Sequence, residues 1–185
     1  MKYLICGLGN PGIEYELTRH NAGFLVLDRL ADKIDSTFTP SRHASKSEIK
    51  YKGRKIILIK PATYMNLSGK AVRFWLKEEK VAIENLLVIT DDIALPFGKL
   101  RMRANGSSAG HNGLGNIEET LGNNNYSRLR FGVGNEFNKG QQVDYVLSNF
   151  SPEETDGLVL ILDKACDAIL SFCTIGINRT MNIFN

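Results

Sequence analysis

The chain has 185 residues, of which 43 % are hydrophobic and 23 % are charged, and its formal net charge is +3. This length fits one domain with a sizeable core, and the composition is that of a soluble globular protein. No apolar run is long enough to span a bilayer, the three cysteines make no disulfide framework, and no cluster of cysteine or histidine has the spacing of a zinc site.

The amino terminus lacks the length and the cleavage site of a signal peptide, so we expect a cytosolic protein. It predicts a first strand at residues 3–6, followed by a loop and a helix at 21–34 with an apolar stripe. Two strands are predicted on either side of the Lys52-Gly53 turn, between residues 48 and 60.

Helices and strands continue to alternate along the rest of the chain. The pattern predicts a helix at 68–79, strands at 86–90 and 99–103, a helix opened by the loop 106–113, and a strand at 129–133. Ser151, Pro152 and Glu154 form a helix-start signal, which predicts a helix to about residue 172. We expect the tail, residues 178–185, to be frayed.

This alternation predicts a single α/β domain over residues 1–185, with a mixed, largely parallel sheet flanked by helices on both faces. Ligands of such sheets bind beyond the carboxyl ends of the strands. The polar loops predicted there are residues 10–20, residues 63–66 and Asp91-Asp92. The loop 107–112 joins them if the strand before it points the same way.

Residues 7–12 match the dinucleotide-binding pattern G-x-G-x-x-G and follow a strand. Pro11, however, has no N–H to offer a pyrophosphate, and no helix starts promptly at Gly12. The carboxylates about twenty residues on, Asp28 and Asp32, fall inside a helix and not at a strand end. The segment is better interpreted as a tight turn that presents Asn10, or as a turn without a ligand.

His20 is the histidine best placed for chemistry. A lone histidine is more often a capping or packing residue, but His20 shares its predicted end of the sheet with Asp91. A carboxylate on one imidazole nitrogen fixes the tautomer and leaves the other nitrogen to take a proton. His111, in a glycine-rich loop, either binds RNA or substrate or caps the following helix. His43 lies in a polar stretch and is expected to be solvated.

No serine lies in a G-x-S-x-G elbow and no cysteine lies near a histidine in a known motif, so an enzyme with this sequence would activate water directly. Asn10, Asn66 and Asn112 lie in the predicted site loops, where their amides could hold a carbonyl or the attacking water. Asparagine is also common in loops for turn reasons. Tyr15 and Tyr64 could stack on a terminal base or pack against a peptide.

Basic residues alternate on two predicted strands, which places them on one face of each strand. These residues are Lys99, Arg101 and Arg103 on one strand and Arg128 and Arg130 on the other. They form either a solvated edge strand protected by charge or a track that follows nucleic-acid phosphates.

Four ordered motifs make the chain similar, along nearly its whole length, to the bacterial peptidyl-tRNA hydrolases. The motifs are the segments 7–24 (G-L-G-N-P-G, then E-Y and T-R-H-N-A-G-F), 60–69 (K-P-A-T-Y-M-N-L-S-G), 91–101 (from D-D to L-P-F-G-K-L-R) and 110–114 (G-H-N-G-L). The resemblance implies hydrolysis of the ester between a peptide and the terminal ribose of tRNA. It also implies a monomer that uses no metal and no organic cofactor.

The resemblance also implies roles for individual residues. His20 would be the general base, Asp91 its orienting partner, and Asn10 a contact to the ester region of the substrate. The residues implied to bind the peptide or the tRNA end are Tyr15, Tyr64, Asn66 and Asn112, to which we add His111 as a substrate-binding candidate. Arg103 and Arg130 would contact tRNA phosphates.

The sequence departs from the family pattern at two positions. Ala94 stands where a second acidic residue is usual, which removes a charge near the site, and Ala109 stands where glycine is usual, which restricts the backbone of its loop. Two alternative functions remain. One is a metal-assisted nuclease that uses Asp91, Asp92 and His20, and the other is an RNA-binding module without catalysis.

Overall fold

The computed structural model describes all 185 residues and contains seven strands and six α-helices. The strands are β1 (Lys2–Gly7), β2 (Thr39–Pro40), β3 (Ala44–Tyr51), β4 (Arg54–Pro61), β5 (Leu86–Asp92), β6 (Leu100–Arg103) and β7 (Ser127–Gly132). The helices are α1 (Ala22–Lys33), α2 (Gly69–Glu78), α3 (Asn112–Leu121), α4 (Gln142–Val146), α5 (Pro152–Ile175) and α6 (Ile177–Phe184).

The strands form one sheet in the order β2-β3-β4-β1-β5-β7-β6. Its four central strands, β4, β1, β5 and β7, are parallel to one another, whereas β2, β3 and β6 pair antiparallel at the two sides. The predicted mixed, largely parallel α/β sheet is therefore confirmed. Parallel strands buried on both faces are continuous apolar runs, such as Ile56 to Ile59 in β4.

Two hydrophobic cores lie on opposite faces of the sheet, because successive side chains of a strand point to opposite sides. In β1, Ile5 packs in the core that α1 and α5 cover. Its neighbours Leu4 and Cys6 pack in the core that α2 and α3 cover. The helix-start signal at Ser151 forms a complete capping box at the start of α5, as predicted.

The glycine-rich turn after β1 serves close packing. A Cβ on Gly7 would clash with the carbonyl oxygen of Gly23. The end of β1 and the start of α1 therefore pack this closely only because residue 7 is glycine. The turn leads through a single turn of 3₁₀ helix at Ile13–Tyr15 to a second one at Arg19–Asn21, where α1 begins. The sequence pattern that resembles a nucleotide fingerprint thus has a packing explanation.

The expectation of a frayed tail is wrong. Residues Ile177–Phe184 form α6, whose apolar side chains pack against the core beside α5. The side-chain amide of Asn185 donates to the carbonyl of Met102 (2.9 Å) and accepts from its N–H (2.7 Å), which pairs the outer edge of β6. Tertiary packing orders this segment although its local sequence carries no strong helix signal.

The loop 107–112 was expected at the site only if the strand before it ran parallel to the central strands. That strand, β6, runs antiparallel to β7. The loop nevertheless reaches the carboxyl ends of the parallel strands, because it runs back along the sheet before α3 begins. The hydrogen bond from Arg130 Nη2 to the carbonyl of Ser107 (3.2 Å) holds it there. None of the helices combines the length and the hydropathy that a membrane-spanning helix needs.

Candidate active site

A cleft of about 500 Å³ opens beyond the carboxyl ends of the parallel strands. Eight of the ten residues singled out from the sequence line it: Asn10, His20, Tyr64, Asn66, Asp91, His111, Asn112 and Arg130. Tyr15 and Arg103 are not among the lining residues; Tyr15 is half-buried in its 3₁₀ turn, and Arg103 is exposed on β6. The topological prediction that these loops converge thus holds for most of them.

The centre of the cleft is a histidine–aspartate pair. His20 Nδ1 lies 2.9 Å from Asp91 Oδ2. Asp91, at the end of β5, is 5 % exposed. An ionised carboxylate only accepts hydrogen bonds, so Nδ1 of His20 carries the proton and donates it to Asp91. Nε2 is then the basic nitrogen of the His20 ring, and this ring lines the cleft.

A second imidazole binds the other oxygen of the same carboxylate. His111 Nε2 lies 2.8 Å from Asp91 Oδ1, and the centroids of the two imidazole rings are 5.0 Å apart. His111 Nδ1 accepts hydrogen bonds from the N–H groups of Gly113 (3.1 Å) and Leu114 (3.3 Å) at the start of α3. An acceptor nitrogen has no proton, so His111 is neutral and donates from Nε2 to Asp91.

The sequence left two roles open for His111, and the structure shows that it caps α3. Both of its ring nitrogens are used inside the protein, so neither is left to hydrogen-bond a substrate. Its contact with Asp91 was not anticipated from the sequence, since that contact depends on the loop before α3 running back to the end of β5.

Opposing effects set the charge of Asp91. Burial acts to raise the pKa of its carboxyl, but the electrostatic attraction and the hydrogen bonds of the His111 and His20 imidazoles outweigh this and hold the pKa well below its usual range. Asp91 is therefore an ionised carboxylate in a nearly solvent-free position, with one imidazole on each oxygen.

Asn10 is held rigidly at the wall of the cleft. The side-chain amide of Asn21 accepts from the N–H of Asn10 (2.8 Å) and donates to its carbonyl (2.9 Å). Asn10 Oδ1 accepts from the N–H of Met65 (2.7 Å), which leaves Nδ2 as its free donor. Asn21 was assigned no role from the sequence, although it lies in the same motif as His20; its buried side chain is what positions Asn10.

Three polar residues on the rim remain free to bind a ligand. Tyr64 is 60 % exposed, and Asn66 and Asn112 are also exposed. None of their side chains hydrogen-bonds to another protein group.

An apolar wall of the cleft is formed by Val143, Val146 and Leu147, which belong to α4 and the residue after it. The sequence analysis missed α4 because five residues with one turn of helix carry little periodic signal.

Asp92 does not join the histidines. Its Oδ2 lies 3.3 Å from Arg130 Nη1, and its Oδ1 accepts from the N–H of Ala94 (2.8 Å). The three donors of the nuclease alternative, Asp91, Asp92 and His20, all line the cleft but are not gathered at metal-ligand spacing. His20, Asp91 and His111 do place their donor atoms within 4.8 Å of one another, a spacing that could hold a metal ion, but hydrogen bonds already join these atoms.

The two departures from the family pattern lie at or beside the cleft. Ala94 is exposed, follows Ile93 of the cleft wall, and donates its N–H to Asp92 Oδ1 (2.8 Å). Ala109 lines the cleft with φ of 49°, a left-handed conformation that strains a residue with a Cβ.

Only some of the basic residues that were predicted to form a track lie on the surface. Arg128 is fully buried, its guanidinium lies 4.3 Å above the ring of Tyr126, and Nη2 donates to the carbonyl of Asn124 (2.8 Å). Grouping Arg128 with surface residues was therefore wrong, because the side of β7 on which it lies is covered by α3 and by the loop after that helix. Arg103 is exposed, and Arg130 lines the cleft.

An α/β sheet with a carboxylate-bound imidazole at the carboxyl ends of its parallel strands is an arrangement typical of enzymes that use general acid–base chemistry. The particular family follows from comparison with known proteins. Residues 4–185 match the family described as peptidyl-tRNA hydrolase, and the chain belongs to that family.

Relatives match the chain over its full length. The peptidyl-tRNA hydrolase of Cytophaga hutchinsonii is 62 % identical over 185 residues, covering 100 % of this chain and 98 % of the relative. That of Geotalea uraniireducens is 45 % identical, covering 98 % of this chain and 95 % of the relative. The crystal structure of the peptidyl-tRNA hydrolase from Acinetobacter baumannii superposes with a TM-score of 0.93 at 34 % identity, covering 99 % of this chain and 94 % of the other.

Proposed function

We propose that this protein hydrolyses the ester bond between the peptide and the tRNA in peptidyl-tRNA, with His20 as the general base. The observation that carries the proposal is the bond from His20 Nδ1 to Asp91, which leaves Nε2 basic in the cleft of a chain that belongs to the peptidyl-tRNA hydrolase family. The activity returns free tRNA to translation.

The proposed reaction is direct attack of water on the ester carbonyl carbon. As the water oxygen bonds to carbon, one of its protons passes to Nε2 of His20, and Asp91 stabilises the imidazolium that forms. Collapse of the tetrahedral intermediate breaks the bond to the ribose oxygen, which takes the proton back from Nε2. The products are a peptide with a free carboxylic acid and a tRNA with a free terminal ribose hydroxyl.

Asn10 Nδ2 is the donor proposed to bind the substrate ester region. Its rigid support by Asn21 and Met65 means that little reorganisation is needed as charge develops on the carbonyl oxygen. Tyr64, Asn66 and Asn112 on the rim, and Tyr15 in the 3₁₀ turn Ile13–Tyr15, are proposed to bind the peptide and the tRNA end. Their free side chains support this assignment.

For His111 we propose a positioning role in place of the substrate contact expected from the sequence. The N–H groups at the start of α3 keep Nδ1 an acceptor, so Nε2–H is always directed to Asp91. This second hydrogen bond fixes the plane of the carboxylate and therefore the orientation of His20. His111 thus acts through Asp91 and does not touch the reacting atoms.

Arg103 and Arg130 are proposed to contact tRNA phosphates, as cationic side chains on the β7–β6 side of the cleft. We further propose that the chain acts as a monomer, as its resemblance to the family implies. Its proposed location is the cytosol, where bacterial translation supplies the substrate. Analytical ultracentrifugation at micromolar concentration tests the monomer.

The test of the function is release of N-acetyl-alanine from N-acetyl-alanyl-tRNA, with and without excess chelator. We expect release of the blocked amino acid at an unchanged rate in chelator, with the tRNA intact on a denaturing gel. A rate that collapses and recovers with magnesium, together with cut RNA, would support the nuclease. Binding of tRNA without any release would support the RNA-binding module.

A further inference from the structure

A second cleft, of about 560 Å³, adjoins the active-site cleft across Asn10, which lines both. Its outer wall carries Ile13 and Leu17, which are 83 % and 60 % exposed. Phe24 and Leu25, both half-buried, continue the same apolar wall. Large aliphatic side chains this exposed, gathered in a concave surface beside a catalytic site, are typical of a ligand-binding wall.

The order of the strands gives this second cleft a direction relative to the ester. Asn10 follows β1 and Asp91 ends β5, so the reacting centre lies in the middle of the sheet. Arg130 lies on one side, on β7, where the tRNA is proposed to bind. The second cleft lies on the other side, against the end of β4, where Lys60 contributes to it. A substrate with its ester at His20 and its tRNA over β7 would send its peptide toward β4.

Several polar groups of the second cleft are bound within the protein, whereas Glu16 is exposed there without a protein partner. Lys60 Nζ hydrogen-bonds Asp28 and lies 4.3 Å from the centroid of Phe38, and the side chain of Asn21 is bound to Asn10. Apart from Glu16, the cleft therefore offers a ligand apolar contact more than free charge.

We infer that the second cleft is a subsite for the peptide part of the substrate, which binds apolar side chains of the residues upstream of the esterified amino acid. This inference rests on the proposed function. Ile13 and Leu17 are its specificity-determining residues. They gain apolar burial only when a peptide of two or more residues, with apolar side chains upstream, extends past Asn10.

The test compares three substrates on one tRNA: N-acetyl-alanyl-tRNA, N-acetyl-Leu-Leu-alanyl-tRNA and N-acetyl-Ser-Ser-alanyl-tRNA. The variant is I13S/L17S. The matched control is V159S/L160S, which replaces two residues of α5 that are 52 % and 77 % exposed and lie away from both clefts. Both variants change only exposed side chains, and circular dichroism checks that each is folded.

We expect the wild-type protein and the control to prefer the Leu-Leu substrate to the Ser-Ser substrate by about tenfold in kcat/KM. I13S/L17S should lose that preference through a higher KM at unchanged kcat, and it should hydrolyse N-acetyl-alanyl-tRNA at the wild-type rate. An absent preference in the wild type, a preference that I13S/L17S retains, or an equal loss on all three substrates would overturn the subsite. The proposed function itself fails only if the wild type does not hydrolyse N-acetyl-alanyl-tRNA.

Discussion

The centre of the site and its basic side differ in how firmly their polar groups are held. At the centre, both oxygens of Asp91 and both nitrogens of His111 are hydrogen-bonded inside the protein. On the basic side, Arg103 is exposed on the edge strand and has no protein partner. Arg130 lies between these extremes, since it is bonded to Asp92 and Ser107 but still lines the cleft.

This difference matches two physical demands. Proton transfer requires one nitrogen in a fixed position and tautomer, and Asp91 and His111, which hold His20, are hydrogen-bonded at every side-chain oxygen and ring nitrogen. Attraction of a phosphate backbone is long-ranged and tolerates movement of the side chain, so exposed arginines suffice. Substitutions at the centre should therefore reduce the chemical step, and substitutions on the basic side should reduce binding.

The largest effect is expected from His20→Ala. Loss of the general base should lower kcat by about 10²- to 10⁴-fold, while tRNA binding and the thermal melt stay native. His43→Ala is the matched control, since His43 lies outside the cleft and packs against Phe74. Measurement of kcat and of tRNA affinity separates chemistry from binding. If His20→Ala keeps more than a small fraction of the activity, the base lies elsewhere.

His111→Ala should have the next largest effect. It frees Asp91 Oδ1 and should lower kcat/KM by roughly tenfold, with KM nearly unchanged. It also removes the cap of α3 and should cost about 0.5–2 kcal/mol of stability. Ser151→Ala, which removes the side-chain cap of α5 without touching Asp91 or His111, should cost similar stability and leave kcat/KM unchanged. Equal kinetics for the two variants would show that His111 is only a cap.

The two arginines should separate from each other. Arg103→Ala should raise KM and lower the slope of log affinity against log salt by about one, with kcat unchanged at saturating substrate. Arg130→Ala should do the same and should also lower kcat a few fold, because it releases Asp92 and the loop at Ser107. Wild-type salt slopes in both variants would show that this face does not contact phosphates.

The smallest effect is expected from Ala109→Gly. At φ of 49°, the backbone of an alanine carries about 1–2 kcal/mol of strain, which glycine would relieve. The larger conformational entropy of glycine in the unfolded chain offsets part of this gain in stability. We expect Tm to rise by about 2 °C, as measured by calorimetry. Ala82→Gly is the control, because Ala82 is exposed with φ of −69°, and there glycine should lower Tm. A lower Tm in both variants would remove the argument for strain.

Hydropathy and turn signals predicted most of the fold because they are local. Apolar runs such as 56–59 and the capping box at Ser151 specify their own elements. Such signals failed for residues 177–184, which α5 and β6 order from outside, and for α4, which is too short to show a period. They also failed for Arg128, whose alternation with Arg130 gives its face of the strand but not what covers that face.

The part of the candidate site that could be predicted consists of residues that lie at, or follow, the carboxyl end of a predicted strand. His20, Asp91 and Asn10 follow or end β1 and β5, so the sheet topology alone brings them together. The bond between His111 and Asp91, the support of Asn10 by Asn21, and the apolar wall from α4 depend on loop paths and on helix docking. Those contacts span long sequence separations that no local pattern encodes.

The central claim is that Asp91 orients His20 and stabilises its imidazolium form, and the pH dependence of kcat/KM for the wild type and Asp91→Asn tests it most directly. Because the pKa of Asp91 is held well below its usual range, its charge is constant across the profile, and activity should rise with pH as the base loses its proton. Asp91→Asn removes a negative charge that favours the imidazolium form. The acid limb should therefore move to lower pH, and the plateau should fall by about 10²-fold or more. An acid limb at the wild-type position in a well-folded Asp91→Asn protein would contradict the pairing of His20 with Asp91.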